Sequence, residues 1–173
     1  MTDTVEFALR AVLIGAGATG VMDVWAALLR RFGVPSLNLA FLGRWLGHLP
    51  RGRWTHPAIA GATPVRGELW IGWGAHYAIG ITFAALLLWV YGLGWGRAPT
   101  LPPALFIGMV TVVAPLFILQ PGMGAGIASR KTPTPVFNSA KSLVTHIVFG
   151  LGMYLAARAV SFVVCGGAAL TSV

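Results

Sequence analysis

Four apolar stretches, each close to the thickness of a bilayer's hydrocarbon core, constrain this chain more than any other feature. A helix needs about 20 mostly apolar residues to span a membrane. The sequence supplies such runs at 7–29, 71–91, 101–120 and 142–164. Only 9% of its 173 residues are charged and its mean hydropathy is +0.79. A soluble domain carries about 25% charged residues, so this chain cannot cover a globular surface with charge. The expectation is an all-α integral membrane protein, a four-helix transmembrane bundle forming one domain over residues 1–173. The start, "MTDTVEFALR", has no basic leader, and a cleaved signal peptide is not expected. Cys165 stands alone, which excludes an intrachain disulfide.

The loops set the threading. Arg30, Arg31, Arg44, Arg51, Arg53 and Arg66 lie between spans one and two, and Arg130, Lys131 and Lys141 lie between spans three and four. The other side has only Arg10, Arg97 and Arg158. Basic loops face the cytoplasm, so both long loops are expected inside and both termini outside. A net charge of +8 would suit nucleic acid in a soluble protein. No soluble basic domain remains here once the spans are removed, and the expected partner is the lipid bilayer, not nucleic acid.

The first long loop carries "PSLNLAFLGRWLGHLPRGRW". Across about 36–49, Leu37, Phe41, Leu42, Trp45, Leu46 and Leu49 gather mostly on one helical face, with Gly43, Arg44, Gly47 and His48 opposite. It is too short to span. Two readings stand side by side: a cytosolic interfacial helix with its apolar face in the headgroup layer, or a cap folded over the bundle. Arg44, His48, Arg51, Arg53 and His56 cluster around Trp45 and Trp54, and with Arg66 they form either a solvated basic face or a clamp for an anionic headgroup. Arg66 and Glu68 make a local ion pair or a gate.

"AVLIGAGATG" contains GxGxxG at Gly15, Gly17 and Gly20. A dinucleotide turn needs a preceding strand and an acid about 20 residues on. No acid occurs between Asp23 and Glu68. The better expectation is a small-residue stripe, Ala16 and Gly20 foremost, for close helix packing.

Polar residues inside the spans mark where a site would be. With the threading above, Asp23, His76 and His146 all lie roughly 8–10 Å below the cytosolic interface at 1.5 Å per residue. Gln120 closes span three on that side. Asp23, His76, Gln120 and His146 are therefore expected to share a polar pocket. A charged Asp23 facing lipid would cost several kcal/mol, about 3 on insertion scales, whereas an imidazole could pair with it. Such pairs either fix helix register or carry a proton. Asp23, His76 and His146 could also hold a divalent transition metal, although their spacing is not diagnostic. Pro115 is expected to kink span three, and "QPGMGAGIASRKTPTP" to fold as a tight inner loop.

His76 and His146 each precede a glycine by four residues, Gly80 and Gly150, with an aromatic beyond. This suggests two repeated helix pairs. The motifs "GATGVMDVWAALLRRFGVPS", "GRWLGHLPRGRW", "PVRGELWIGWGAHYAIG" and "QPGMGAGIASRKTPTP" are distinctive. With them in view, the chain resembles small bacterial integral membrane proteins grouped as an uncharacterised domain of unknown function. The resemblance implies an inner-membrane location and supplies no activity, cofactor or catalytic residue. The leading functional expectation is a binding or transport-type module whose ligand is a proton, a metal or a lipid headgroup. The alternatives are a membrane-embedded enzyme acting on a lipid-like substrate, and a structural subunit. A homo-oligomer stays open.

Overall fold

In a medium without water every backbone amide must be satisfied within its own helix, and the long elements of this chain follow that demand. The computed structural model describes residues 2–170, with side chains as far as residue 163. Among the described residues six α-helices follow one another: α1 (Asp3–Arg31), α2 (Leu39–His48), α3 (Glu68–Arg97), α4 (Leu101–Thr111), α5 (Gln120–Met123) and α6 (Pro135–Leu170). Short 3₁₀ turns occupy the loops, and no strand occurs among the described residues. A π-helical segment, Pro115–Leu119, joins α4 to α5, so that Leu101–Met123 forms one membrane-length unit. Four helices are thus long and apolar enough to cross a membrane.

The helices outrun the expected spans at most ends. α1 begins with Asp3 and Glu6 and ends with Arg30 and Arg31, charges that match the helix dipole at each terminus. α6 starts at Pro135, well before the apolar run at 142, because Asn138, Ser139 and Lys141 continue a helix although they are polar. α3 is interrupted at Gly92, where φ of 76° breaks the helix one residue past the expected end. Cys165 lies outside the described side chains.

α1 lies between α3 and α6, α4 lies along α6, and α2 lies across the first half of α3. Ile14, Ala18, Leu87, Leu88, Phe149 and Met153 form the centre of the core. Large apolar residues such as Trp70, Trp89, Phe117, Ile118 and Phe162 point outward, where a bilayer would cover them. Apolar burial drives little association in lipid, so close packing must hold the helices together. α4 and α6 meet at Gly108 and Gly150: a Cβ on Gly108 would stand 2.6 Å from the His146 carbonyl, and one on Gly150 would stand 2.8 Å from the Ala104 carbonyl.

On α1 the close contact falls elsewhere than expected. Gly15 packs on the backbone of Gly80 and Ile81, and Gly17 on Ala156, whereas a Cβ on Gly20 would meet nothing within 4 Å. The GxGxxG glycines therefore serve packing, but through Gly15 and Gly17, because Gly20 lies past the crossing.

α2 lies on α3 as a cap. Its polar face turns inward: Gly43, Arg44 and His48 are buried, together with Leu42, while Leu37 is exposed and Phe41, Trp45 and Leu46 are half-buried. Gly43 and Gly72 let α2 and α3 touch backbone to backbone, since a Cβ on Gly43 would collide with the Glu68 carbonyl. The interior supplies partners for the polar groups, and the apolar face is left to the surroundings. α2 is thus a cap on α3 that keeps apolar residues at its outer face.

Candidate functional site

The two long loops meet at one end of the bundle. His56 N donates to the Gly122 carbonyl at 3.0 Å, and Gly124 packs on the Pro57 carbonyl. Nine of the twelve Lys and Arg side chains belong to this end of the chain's threading, named above, and Arg10, Arg97 and Arg158 to the other.

Asp23 approaches this end from α1. Its Oδ1 accepts from His76 Nε2 at 3.0 Å and its Oδ2 accepts from the Tyr77 hydroxyl at 3.1 Å. Both donors stand on adjacent positions of α3, one to either oxygen of the carboxylate. Trp73, one turn earlier, flanks both rings, at 6.3 Å from His76 and 6.1 Å from Tyr77. The pair is not sealed: the His76 side chain is 15% exposed and that of Asp23 26%.

His146 goes to a different partner. The Thr111 hydroxyl donates to the Gly108 carbonyl at 2.8 Å, and with that proton spent its oxygen accepts from His146 Nδ1 at 3.0 Å. Phe83 and Phe149 enclose the imidazole, which is buried. Gln120 donates to Ser142 Oγ at 3.2 Å, and its buried Oε1 has no partner. The expected four-residue pocket is therefore divided among three helix contacts: α1 with α3, α4 with α6, and α5 with α6. The depth argument brought His146 level with Asp23, but α6 turns its His146 face to α4. The expected metal triad of Asp23, His76 and His146 does not assemble. Among the described residues no three His, Cys, Asp or Glu side chains stand where they could hold a metal ion.

Two of the expected headgroup ligands are spent inside the cap. Arg44 binds Glu68 through two hydrogen bonds, Nε to Oε2 at 2.9 Å and Nη2 to Oε1 at 2.7 Å. Its remaining Nη1 donates to the carbonyls of Ile59, Ala60 and Ala62 at 3.1–3.2 Å, which folds the loop around the guanidinium. Glu68 is the first residue of α3, where a carboxylate suits the helix N-terminus. Of the sequence alternatives, Arg66 stays exposed and Glu68 pairs with Arg44. The guanidinium of Arg44 is held above its usual range by Glu68. His48 Nδ1 and His56 Nε2 are 2.7 Å apart and both rings are buried. Burial, then the neighbouring His56, pushes His48 below the ordinary histidine value. Arg51, Arg53 and Arg66 remain exposed.

Tyr77, Thr111 and the His48–His56 pairing escaped the sequence reading. Tyr77 adjoins His76, and Thr111 is a polar side chain within span three, so each was visible as a polar group near a span histidine. The His48–His56 pair depends on a loop path that no periodicity encodes.

At the far end a second polar lock joins three helices. Arg10 is buried on α1; it donates to Glu6 at 2.8 Å and to the Gly96 carbonyl at 2.7 Å, and Ser161 of α6 donates to that same carbonyl at 2.8 Å.

Four membrane-length helices, an outward apolar surface and polar contacts at the seams between helices define a small multi-pass helical membrane protein. The chain belongs to the family described as a protein of unknown function, DUF2938, whose profile covers residues 12–160. No curated protein and no solved structure matches it.

Proposed function

We propose that this is a binding or transport-type module of the bacterial inner membrane, with its basic loops and the α2 cap on the cytoplasmic side, and that the Asp23–His76 pair binds a proton. The observation that carries this reading is the partial exposure of a carboxylate–imidazole pair inside two membrane-length helices. An ionisable pair at such a position is costly and is a functional site by default. The His146–Thr111 contact, by contrast, is neutral and closed, as a structural contact would be.

The chemistry follows from the donors. With Nε2–H directed at Asp23, a neutral His76 keeps its lone pair on Nδ1. A proton arriving there makes an imidazolium paired with a carboxylate whose other oxygen accepts from the Tyr77 hydroxyl. The threading is supported by the nine-to-three distribution of cations across the bundle ends. The test is a proton-flux assay of the full chain in proteoliposomes loaded with a pH-sensitive dye. Proton entry driven by an imposed potential is expected, and Asp23→Asn and His76→Gln should each reduce it severalfold while Thr111→Val leaves it unchanged. Flux no greater than in empty liposomes, or flux indifferent to both Asp23→Asn and His76→Gln, would reject the reading.

A further inference from the structure

We propose that the groove between the Val112–Leu116 stretch and α6 at the loop end binds a single anionic glycerophospholipid. The groove is open along one side and offers about 510 Å³, comparable with the range of about 300–1,000 Å³ usual for small-molecule sites. Its walls are apolar: Val112 and Leu116, on either side of Pro115, face Val136, Ala140 and Leu143 of α6. Arg130 completes the lining from the loop.

Charge identifies the occupant. The chain has four acidic side chains, and each already has a basic partner. Asp3 and Glu6 pair with Arg97, Glu6 also with Arg10, Asp23 with His76, and Glu68 with Arg44. Arg130 and the adjacent Lys131 are exposed, and no acidic side chain of this protein is left over to neutralise them. An anionic group seated at this end of the groove would complement them. Apolar walls beside unmatched cations, on the outer surface of a membrane-length bundle, suit a molecule with both an acyl chain and a phosphate. Anionic lipid attracts such basic groups at the membrane surface.

The loop is built to hold Arg130 in place. Ala128 and Ser129 adopt φ of 49° and 58°, a left-handed conformation uncommon for non-glycine residues. Ser139 Oγ donates to the Ala128 carbonyl at 3.0 Å, Thr132 Oγ1 to the Ser129 carbonyl at 2.7 Å, and Lys131 N to the Ala125 carbonyl at 2.9 Å. Strained turns persist where the surroundings over-determine them, and they cluster at binding sites.

The experiment is native mass spectrometry of the purified full chain with phosphatidylglycerol or phosphatidylcholine of matched acyl chains. The expected result is a several-fold preference for one phosphatidylglycerol. Arg130→Gln with Lys131→Gln should abolish the preference, and Ala140→Trp, which fills the groove, should reduce adducts of both lipids. Arg51→Gln with Arg53→Gln should leave the preference intact, and inorganic phosphate at equal concentration should not displace the lipid. The proposal is overturned by equal binding of the two lipids, by a preference that survives Arg130→Gln with Lys131→Gln, by displacement with inorganic phosphate, or by an equal loss in the Arg51/Arg53 variant. The substituted Arg and Lys side chains are exposed, so their variants remain informative if Ala140→Trp fails to fold.

Discussion

His76 and His146 occupy the same station in two helix pairs. Each lies four residues before a glycine that touches the preceding membrane-length helix, Gly80 against α1 and Gly150 against α4. Each imidazole is held by a polar side chain from that same helix, Asp23 in the first pair and Thr111 in the second. One scaffold thus carries a charged contact and a neutral one. A double-mutant cycle on Asp23 and His76, read by unfolding in detergent, should give a coupling of about 0.6–1.7 kcal/mol, the range of interhelical hydrogen bonds in membranes. The same cycle on Asp23 and His146 should give none. Coupling between the latter two would mean that the imidazoles share one cluster after all.

The glycines make a sharper contrast. Gly150→Ala places a methyl 2.8 Å from the Ala104 carbonyl and 3.1 Å from the Leu105 Cα, both backbone atoms that cannot swing aside. The expected loss is about 1–3 kcal/mol, as for other overpacked interiors. Gly20→Ala meets nothing within 4 Å, and an alanine within a helix is better than glycine by about 0.5–1 kcal/mol. Thermal unfolding of the two variants in one detergent decides this; the reverse order of stabilities would mean that the helix crossings are misplaced.

The four membrane-length helices were legible because apolar length alone dictates them. The Asp23–His76 contact was legible in part, since loop charge and span order give depth along the membrane normal. They do not give azimuth. His146 faces α4, a direction set by the glycine contact at Gly108 and Gly150. The α2 segment was legible as an amphipathic helix, but which of its faces packs on the bundle was not. Amphipathicity identifies two faces; which one is inside depends on whether the medium outside is water or lipid. Here the buried Arg44 finds a carboxylate and three carbonyls in the cap, so the polar face goes in.

Arg44 should not tolerate lysine. Its guanidinium spans both oxygens of Glu68 and three loop carbonyls at once, a planar fork that a single ammonium cannot reproduce. Arg44→Lys keeps the charge and should still release residues 59–62 from the cap. Limited proteolysis of that loop is expected to quicken severalfold while the membrane-length helices stay protected. An unchanged cleavage rate would mean that charge alone, not the fork, holds the loop.

The buried His48–His56 pair makes the cap sensitive to acid. Burial and the neighbouring imidazole push His48 below its ordinary value, and Arg51 and Arg53 act in the same direction. The carbonyl of Thr63 opposes them, and Glu68 also lies within electrostatic reach. The folded cap therefore binds fewer protons at His48 than the opened one does. Its stabilising contribution is fully present above about pH 6.5, the ordinary histidine value, and is lost as the pH falls from there through the folded value. Hydrogen exchange of residues 39–62 should accelerate on acidification through that window, before the membrane-length helices respond. His48→Gln should flatten the dependence. Exchange that slows on acidification, or a dependence that persists in His48→Gln, would assign the effect to another group.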